Sequence, residues 1–530
     1  MENTLWSILP PILAIGMVLL TRRVLLSLGV GIVSAAFLLA DFSFKGTAVN
    51  TWEAFKGVFA DGGEPNTWNI FILIFILMLG ILTAFISMMG GTRAFGDWMI
   101  RRVKTRAGAQ IMTMILGVVV FIDDYFNALT VGQVSRPITD KHRVSRAKLA
   151  YIIDSTSAPV CVVAPVSSWG AYIIGLIGTI IVTHGITEFS AFSAFMQMIP
   201  MNLYVWAALG MVLIVALRGA DFGPMKIHEQ RAQSTGEVHG TEAGPSAGGE
   251  RKLPVSEHGR VLDLALPLII LFVGTIAAIL WTGYRETASA GDPVTLMNMF
   301  GNADVPKSLV YGGAASVITA LILYFISGSR NKIAGENHVW LGFREGIRSM
   351  IPSCSILILA WAIVSLIDQL QTGAYLAGIV EQSNINVSLL PAILFVLAGF
   401  MAFSTGTSWG SFAILLPIAG EVASAADMSL ILPMMAAVLA GSVFGDHCSP
   451  ISDTTILSSA GSNCNHIDHV TTQMPYAVAA AIIALVGYVA MGLSGSTWVG
   501  LLMVAAGLAF MLFFLKKAKK IEVESEVIAK

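Results

Sequence analysis

Residues 109–135 read AQIMTMILGVVVFIDDYFNALTVGQVS, with the pair Asp123-Asp124 at their centre. About 14 mostly apolar residues precede the pair and about 11 follow it. A helix needs about 20 residues to cross a hydrocarbon core of roughly 30 Å. Neither arm is long enough, and one continuous crossing would carry two carboxylates at mid-depth. The flanks sharpen the conflict. Arg93, Arg101, Arg102, Lys104 and Arg106 precede the segment; Arg136, Lys141, Arg143, Arg146 and Lys148 follow it. Basic residues in short loops mark the cytoplasmic side, so both flanks belong there. A re-entrant hairpin, entering and leaving from the cytoplasm, satisfies both constraints. Its tip is Phe121-Ile-Asp-Asp-Tyr-Phe-Asn127.

The whole chain supports a lipid setting. Of its 530 residues 55% are hydrophobic and 12% charged, where soluble domains carry about 25% charged residues. So thin a charge nearly rules out a soluble enzyme. Lys+Arg (31) and Asp+Glu (33) almost cancel, and nothing in that balance favours nucleic acid. Cys161, Cys354, Cys448 and Cys464 form no CxxC pair or disulfide framework. Candidate spans are 5–20, 24–40, 68–89, 109–135, 149–183, 194–217, 262–283, 307–327, 351–369, 388–424, 428–462, 475–493 and 498–515. The acidic Glu2 and the lack of a basic n-region argue against a cleavable signal.

Sidedness follows from the remaining basic loops. Arg22-Arg23, the group Arg330, Lys332, Arg344 and Arg348, and the tail Lys516, Lys517, Lys519 and Lys520 all belong inside. Segment 388–424 then starts and ends outside, around the polar tip Phe403-Ser-Thr-Gly-Thr-Ser-Trp-Gly-Ser411. It reads as a second hairpin of opposite orientation. Eleven crossings and two hairpins put the N-terminus outside and the C-terminus in the cytoplasm.

Residues 218–261 hold 12 charged residues and eight glycines, the composition of a flexible cytoplasmic linker. His228-Glu229 within it lacks the second histidine of a zinc motif, because Ala232 stands there. The linker divides a first membrane repeat (1–217) from a second, inverted one (262–493), and 494–530 add a final span and basic tail. Each half reads as three spans, a hairpin, a long interrupted crossing and one more span. Ala158–Gly170 aligned without gaps on Ser449–Gly461 shares Pro159/Pro450, Ser167/Ser458, Ser168/Ser459 and Gly170/Gly461. Inverted repeats with discontinuous helices are characteristic of secondary transporters. The crossings 149–183 and 428–462, about 35 residues each, carry proline and serine at mid-depth. They are expected to unwind there, because proline removes a backbone donor and bare backbone needs a wet or protein-lined cavity. The fold class is therefore an all-α polytopic membrane protein of about 11 spans, with inverted-topology repeats, two re-entrant hairpins and two broken helices.

A charge at the bilayer centre costs about 2.5–3.5 kcal/mol. The chain accepts that cost at Asp123, Asp124, Asp154, Asp446 and Asp453, with no Lys or Arg at the same depth. Such carboxylates bind a cation or take up a proton. Hydroxyl and amide groups stand beside them: Asn127, Thr156, Thr407, Ser408, Ser449 and Thr454 supply neutral oxygens suited to a hard cation. Bland roles compete with this reading. Asp123, Asp124 and Asp154 are also placed to cap helices, and Asp446 or Asp453 to partner His447. Asp368 reads as interfacial, Trp6, Trp68 and Trp498 as belt anchors, and Trp169 and Trp409 as packing at the tips.

Three stretches resemble the NhaC family of Na+/H+ antiporters: Phe121-Ile-Asp-Asp-Tyr-Phe-Asn-Ala-Leu129, Gly406-Thr-Ser-Trp-Gly-Ser-Phe-Ala413 and Gly445-Asp-His-Cys-Ser-Pro-Ile-Ser-Asp-Thr-Thr-Ile456. Asp154-Ser-Thr-Ser-Ala-Pro159 fits the same family. The resemblance implies a bacterial inner-membrane carrier, usually a homodimer with elevator-like motion. The expected activity is exchange of Na+, or Li+, for H+, with no cofactor and only membrane lipid and the transported ions as partners. The alternative is Na+/H+-coupled exchange of a small organic solute such as malate, lactate or an amino acid. No intramembrane Arg or Lys near the tips would clamp a carboxylate; helix N-termini offer another route for one. Enzyme readings fail: Asp446 follows Val443-Phe-Gly and breaks the GxGD pattern of intramembrane proteases, and no P-loop is present.

Overall fold

The structure, a computed structural model, describes residues 4–21, 23–61, 63–100, 102–239, 253–256, 258–290, 293–296, 299, 302–331, 336–372, 375, 386–450 and 452–528. Arg22, Arg101 and Lys332 of the basic loops, and linker residues 240–252, lie outside the described residues.

Helices make up nearly all of the described chain. The first half holds α1 (Leu9–Thr21), α2 (Val24–Leu39), α3 (Phe44–Phe59), α4 (Thr67–Met89), α5 (Gly91–Ile100), α6 (Arg106–Val119), α7 (Asp124–Lys141), α8 (Arg146–Thr156), α9 (Ala158–Cys161), α10 (Ser168–Thr183), α11 (Ala191–Met201) and α12 (Leu203–Arg218). After α13 (Gly223–Thr235) come α14 (Val261–Ala290), α15 (Val305–Asn331), α16 (Glu336–Gln369), α17 (Leu390–Thr405), α18 (Ser408–Ala426), α19 (Ile431–Cys448), α20 (Asp453–Ser462), α21 (His466–Ser494) and α22 (Thr497–Ile528). Among the described residues the one sheet is a two-residue ladder, β1 (Ala60–Asp61) with β2 (Glu64–Pro65). Ten described helices are long and apolar enough to cross a membrane. The number differs from eleven because the broken crossings and the N-terminal helices come in short pieces, while both arms of the second hairpin are long.

Both hairpins and both breaks are present. α6 and α7 pack together around a tip at Val120–Asp123, and α17 and α18 turn at Gly406 and Thr407. Gly406 takes a left-handed φ of 71°, a conformation only glycine adopts at no steric cost. The first crossing is α8, α9, a non-helical stretch at 162–167, then α10. The second is α19, a break around Ser449, Pro450 and Ser452, then α20. Proline and the serine caps that restart each helix account for the unwinding.

Ser167 caps α10 and Ser452 caps α20, while Ser458, which the ungapped alignment sets against Ser167, lies inside α20.

The halves do not form separate bodies. α4 packs on α15 and α16, and α2 on α16, which joins the leading spans of both repeats into one framework. The hairpins and broken crossings of both repeats form a second unit, in which α7 packs on α20 and α10 on α18. In the α7–α20 contact the backbones nearly touch. A Cβ on Gly132 would lie 2.3 Å from the Gly461 carbonyl carbon, and one on Gly461 would lie 2.4 Å from the Ala128 oxygen. Gly461→Val is therefore expected to force the helices apart and lower stability by about 1–3 kcal/mol or more. Thermal unfolding of the purified protein checks this; an unchanged Tm would show that the contact tolerates separation.

Residues 223–235, expected within a flexible linker, are a docked helix. Asp221 ion-pairs with buried Lys148 and accepts from the Tyr476 hydroxyl at 3.0 Å. Glu229, 2% exposed, ion-pairs with Arg106 and accepts from the Ser145 amide at 2.7 Å. Met225 and Ala232, both 0% exposed, share the buried face with Glu229, and two apolar residues among charges are too few for hydropathy to register. Pro224 at its start and Gly236 (φ 80°) after its end are the legible signal. The basic loops have internal duties too. Arg136 donates to the Gly461 carbonyl (2.6 Å) and Arg146 to that of Ser462 (2.8 Å), capping the negative end of α20.

Candidate functional site

Four half-helices, α7, α10, α18 and α20, begin within the core of the hairpin unit and converge there. The links between them are specific. Ser168 Oγ donates to Asp123 Oδ2 at 3.0 Å, joining α10 to α7. The Tyr125 hydroxyl donates to Asp453 Oδ2, joining α7 to α20. The Trp169 and Trp409 rings meet edge-on at 5.6 Å, joining α10 to α18. Ser408 Oγ donates to Asp446 Oδ2 at 2.9 Å, joining α18 to α19. The two tips of opposite origin thus share one site, and Trp169 and Trp409 pack between them as expected.

Asp123 is the N-cap of α7, accepting from the Phe126 amide at 3.0 Å, the capping role its position beside the tip allowed. Asp124, 1% exposed, begins the helix, and its Oδ2 is buried without a hydrogen-bond partner. It lies within electrostatic reach of Asp123, Asp453 and Asp446. Asp446, also 1% exposed, accepts from Ser408 and, at 2.5 Å, from Ser452. Asp453 sits at the accessible edge and also accepts from the Thr454 amide at 2.9 Å. Among the described residues no Lys or Arg forms an ion pair with Asp124, Asp446 or Asp453. No three His, Cys, Asp or Glu side chains among them converge on one point; any cation here draws on hydroxyl and carbonyl oxygens as well.

The neutral candidates divide by role. Asn127 Nδ2 donates to the carbonyls of Gly117 (2.6 Å), Val120 (2.9 Å) and Thr156 (3.2 Å), stitching the first tip to the broken crossing. Its Oδ1 is buried without a partner. Thr156 turns its hydroxyl onto its own helix at Ile152 (2.8 Å). Ser449 Oγ holds the second tip through the Phe403 carbonyl at 2.6 Å, and Thr454 Oγ1 meets Ser452 Oγ at 2.8 Å. Thr407, partly exposed, begins α18 with no side-chain cap, whereas Asp123, Ser167 and Ser452 all cap their helices.

Asp154 is placed differently from the other carboxylates. It accepts from Gln473 Nε2 (2.6 Å), His469 Nε2 (3.2 Å), Thr455 Oγ1 (3.2 Å) and Ser458 Oγ (3.3 Å). Four donors occupy a carboxylate's acceptor capacity, and they tie α8 to α20 and α21. His447 partners neither Asp446 nor Asp453; it sits between Ser155 Oγ (3.1 Å) and the Tyr204 hydroxyl (2.7 Å). Tyr125, His469 and Gln473 were missed by sequence reading. Tyr125 stands in the tip motif itself and so had a signal; His469 and Gln473 had none.

Hairpins of opposite origin, discontinuous helices and buried carboxylates between them define a secondary transporter. The sequence profile of the Na+/H+ antiporter family matches residues 160–493, and the chain belongs to that family. It is 43% identical over 521 residues to an "uncharacterized protein" of Haemophilus influenzae, covering 97% of this chain and 96% of that one. It is 29% identical over 158 residues to a malate-2H+/Na+-lactate antiporter of Bacillus subtilis, 28% of this chain and 31% of that protein. The YdaH transporter of Alcanivorax borkumensis has a similar fold, with a TM-score of 0.54 at 13% identity over 90% of this chain and 91% of that one.

Proposed function

We propose that the protein exchanges Na+, and Li+, for H+ across a bacterial inner membrane, with its N-terminus outside and its C-terminus in the cytoplasm. The observation that carries this reading is Asp124: a fully buried carboxylate with a partnerless oxygen, within electrostatic reach of Asp446 and Asp453 and ion-paired to no basic residue among those described. Protons and Na+ compete for these groups. Asp124, Asp446 and Asp453 supply the charge; Asn127 Oδ1, Thr407, Ser408 and the tip carbonyls supply neutral oxygens. No cofactor enters the cycle. The hairpin unit moves against the framework as an elevator, within a homodimer. A carrier crosses only when loaded, because bare carboxylates in lipid are expensive, and that prevents leak.

One observation favours a second substrate. The uncapped start of α18 carries no acid in its first turn, and an open helix N-terminus suits a carboxylate. On that reading the chain couples Na+ and H+ to a small organic solute such as malate, lactate or an amino acid.

Flux in proteoliposomes separates the two. Na+ or Li+ alone is expected to collapse an imposed pH gradient, with K+, malate and lysine inactive. Collapse that requires malate or lysine supports the organic reading instead. Na+ binding is expected to strengthen as pH rises, because protons leave the shared carboxylates. Binding that stays constant from about pH 6 to about pH 9 would remove proton competition from the mechanism.

A further inference from the structure

A cavity of about 600 Å3 opens between α3, α4, α10 and α16. It is remote from the carboxylates. Gly178–Thr183 of its wall lie ten to fifteen residues along α10 from the tip, roughly 15–22 Å at the rise of a helix. Trp68 and Trp361 supply two indole walls, and Asn66, Asn69 and Thr179 add amide and hydroxyl groups. Asp368 stands at the rim, exposed. No Lys or Arg is among the described lining residues, which disfavours an anion. The Trp68 indole N–H is buried without a partner.

The sequence placed Trp68 in an interfacial belt and Asp368 at the membrane surface. Trp68 packs on α10: a Cβ on Gly178 would lie 2.5 Å from its ring. Trp361 lies on Gly175 in the same way, at 3.2 Å, and its Nε1 donates to the Gly175 carbonyl at 3.4 Å. Both indoles belong to the framework, and both rest on the smooth glycine face of the helix that carries the hairpin unit. His184, near Asp368, leans toward Glu421 at 3.8 Å.

Two indole rings and a carboxylate lining one cavity match one chemistry. A cation over an aromatic face is attracted by the ring quadrupole, and a carboxylate supplies the charge-assisted bond that orients it. A bare alkali ion prefers oxygen ligands and would leave the indoles idle. We propose that this cavity binds a small organic cation, a primary ammonium or guanidinium with an apolar body. Seated against Trp68 and Trp361, it holds α10 against the framework and inhibits exchange. The inhibition rests on the elevator reading; the binding does not.

Phenethylammonium is the probe, with 2-phenylethanol as neutral and phenylacetate as anionic counterpart. Isothermal titration uses the purified full chain in detergent. The ammonium is expected to bind about tenfold or more tighter than the alcohol, and phenylacetate not at all. Asp368→Asn is expected to erase that tenfold margin, and Ser365→Phe, which fills the cavity from an exposed position, to abolish binding. Equal affinity for the alcohol, or an unchanged margin in Asp368→Asn, overturns the proposal and marks the cavity as a seat for an apolar lipid chain. In proteoliposomes the ammonium is expected to slow exchange to the same extent at low and high Na+. Relief by Na+ would place the cation in the transport site and overturn the separate site. Absence of any Na+/H+ exchange would refute the function above, while titration still decides the binding.

Discussion

Asp124→Asn is expected to abolish Na+-driven proton flux in proteoliposomes while leaving the protein folded. The carboxylate is 1% exposed, one of its oxygens has no hydrogen-bond partner, and the amide oxygen of asparagine can still accept from the Trp169 indole beside it, so the fold is kept. What it loses is charge. A cation about 4 Å from a carboxylate gains roughly 4 kcal/mol at an effective dielectric of about 20. Removing that attraction lowers Na+ affinity about a hundredfold or more, and removes a site that protons and Na+ share. Asp446→Asn is expected to do the same. Its oxygens accept from the hydroxyls of Ser408 and Ser452, and a hydroxyl rotates to accept from an amide, so the local structure survives the loss of charge. Asp123→Asn should cost much less. Asp123 caps α7 through the Phe126 amide, and asparagine caps as well as aspartate does. Normal exchange in Asp124→Asn or Asp446→Asn would take that residue out of the site.

The residues that sequence reading located share a physical reason. Asp123-Asp124 interrupted an apolar run, and basic clusters on both flanks forbade a crossing; cost and sidedness together exposed the hairpin. Ser167 and Ser452 followed prolines at mid-depth and restart helices there. Contacts between distant parts of the chain carried no such mark. Tyr125 reaches Asp453 across 328 residues, and no local pattern records a partner that far away. His469 and Gln473 sit in the long helix α21, where a polar residue facing protein looks the same in sequence as one facing water. The interleaving of the two repeats was hidden because periodicity reports which face of a helix is buried, not against what. α13 was hidden because Glu229 on it and Asp221 just before it read as solvated charges until Arg106 and Lys148 arrive beside them.

Asp154→Ala is expected to cause the largest loss of stability of any single carboxylate change in the membrane region. The four donors on Asp154 would all lose their acceptor. Thr455 and Ser458 lie within α20, where a hydroxyl re-aims at a helix carbonyl. Gln473 Nε2, on a residue 1% exposed, keeps its bond to the His447 carbonyl at 2.6 Å but loses its second acceptor, and His469 Nε2, on a residue 0% exposed, loses its acceptor outright. Leaving each buried group unsatisfied costs about 1–3 kcal/mol, and breaking a buried charged network costs about 3–5 kcal/mol in total. Asp124→Asn points the other way: an uncompensated buried carboxylate destabilises the fold, so its neutralisation is expected to hold or raise Tm while flux disappears. Measuring Tm and flux together on both variants therefore distinguishes a brace from an ion ligand. If Asp154→Ala melts with the wild type and loses only Na+ affinity, Asp154 belongs with the ion ligands, as its sequence context suggested. A steep fall in Tm, with Na+ affinity retained in the fraction that folds, places Asp154 among the residues that hold α8, α20 and α21 in register. The ion would then be left to the three acids that no basic residue neutralises.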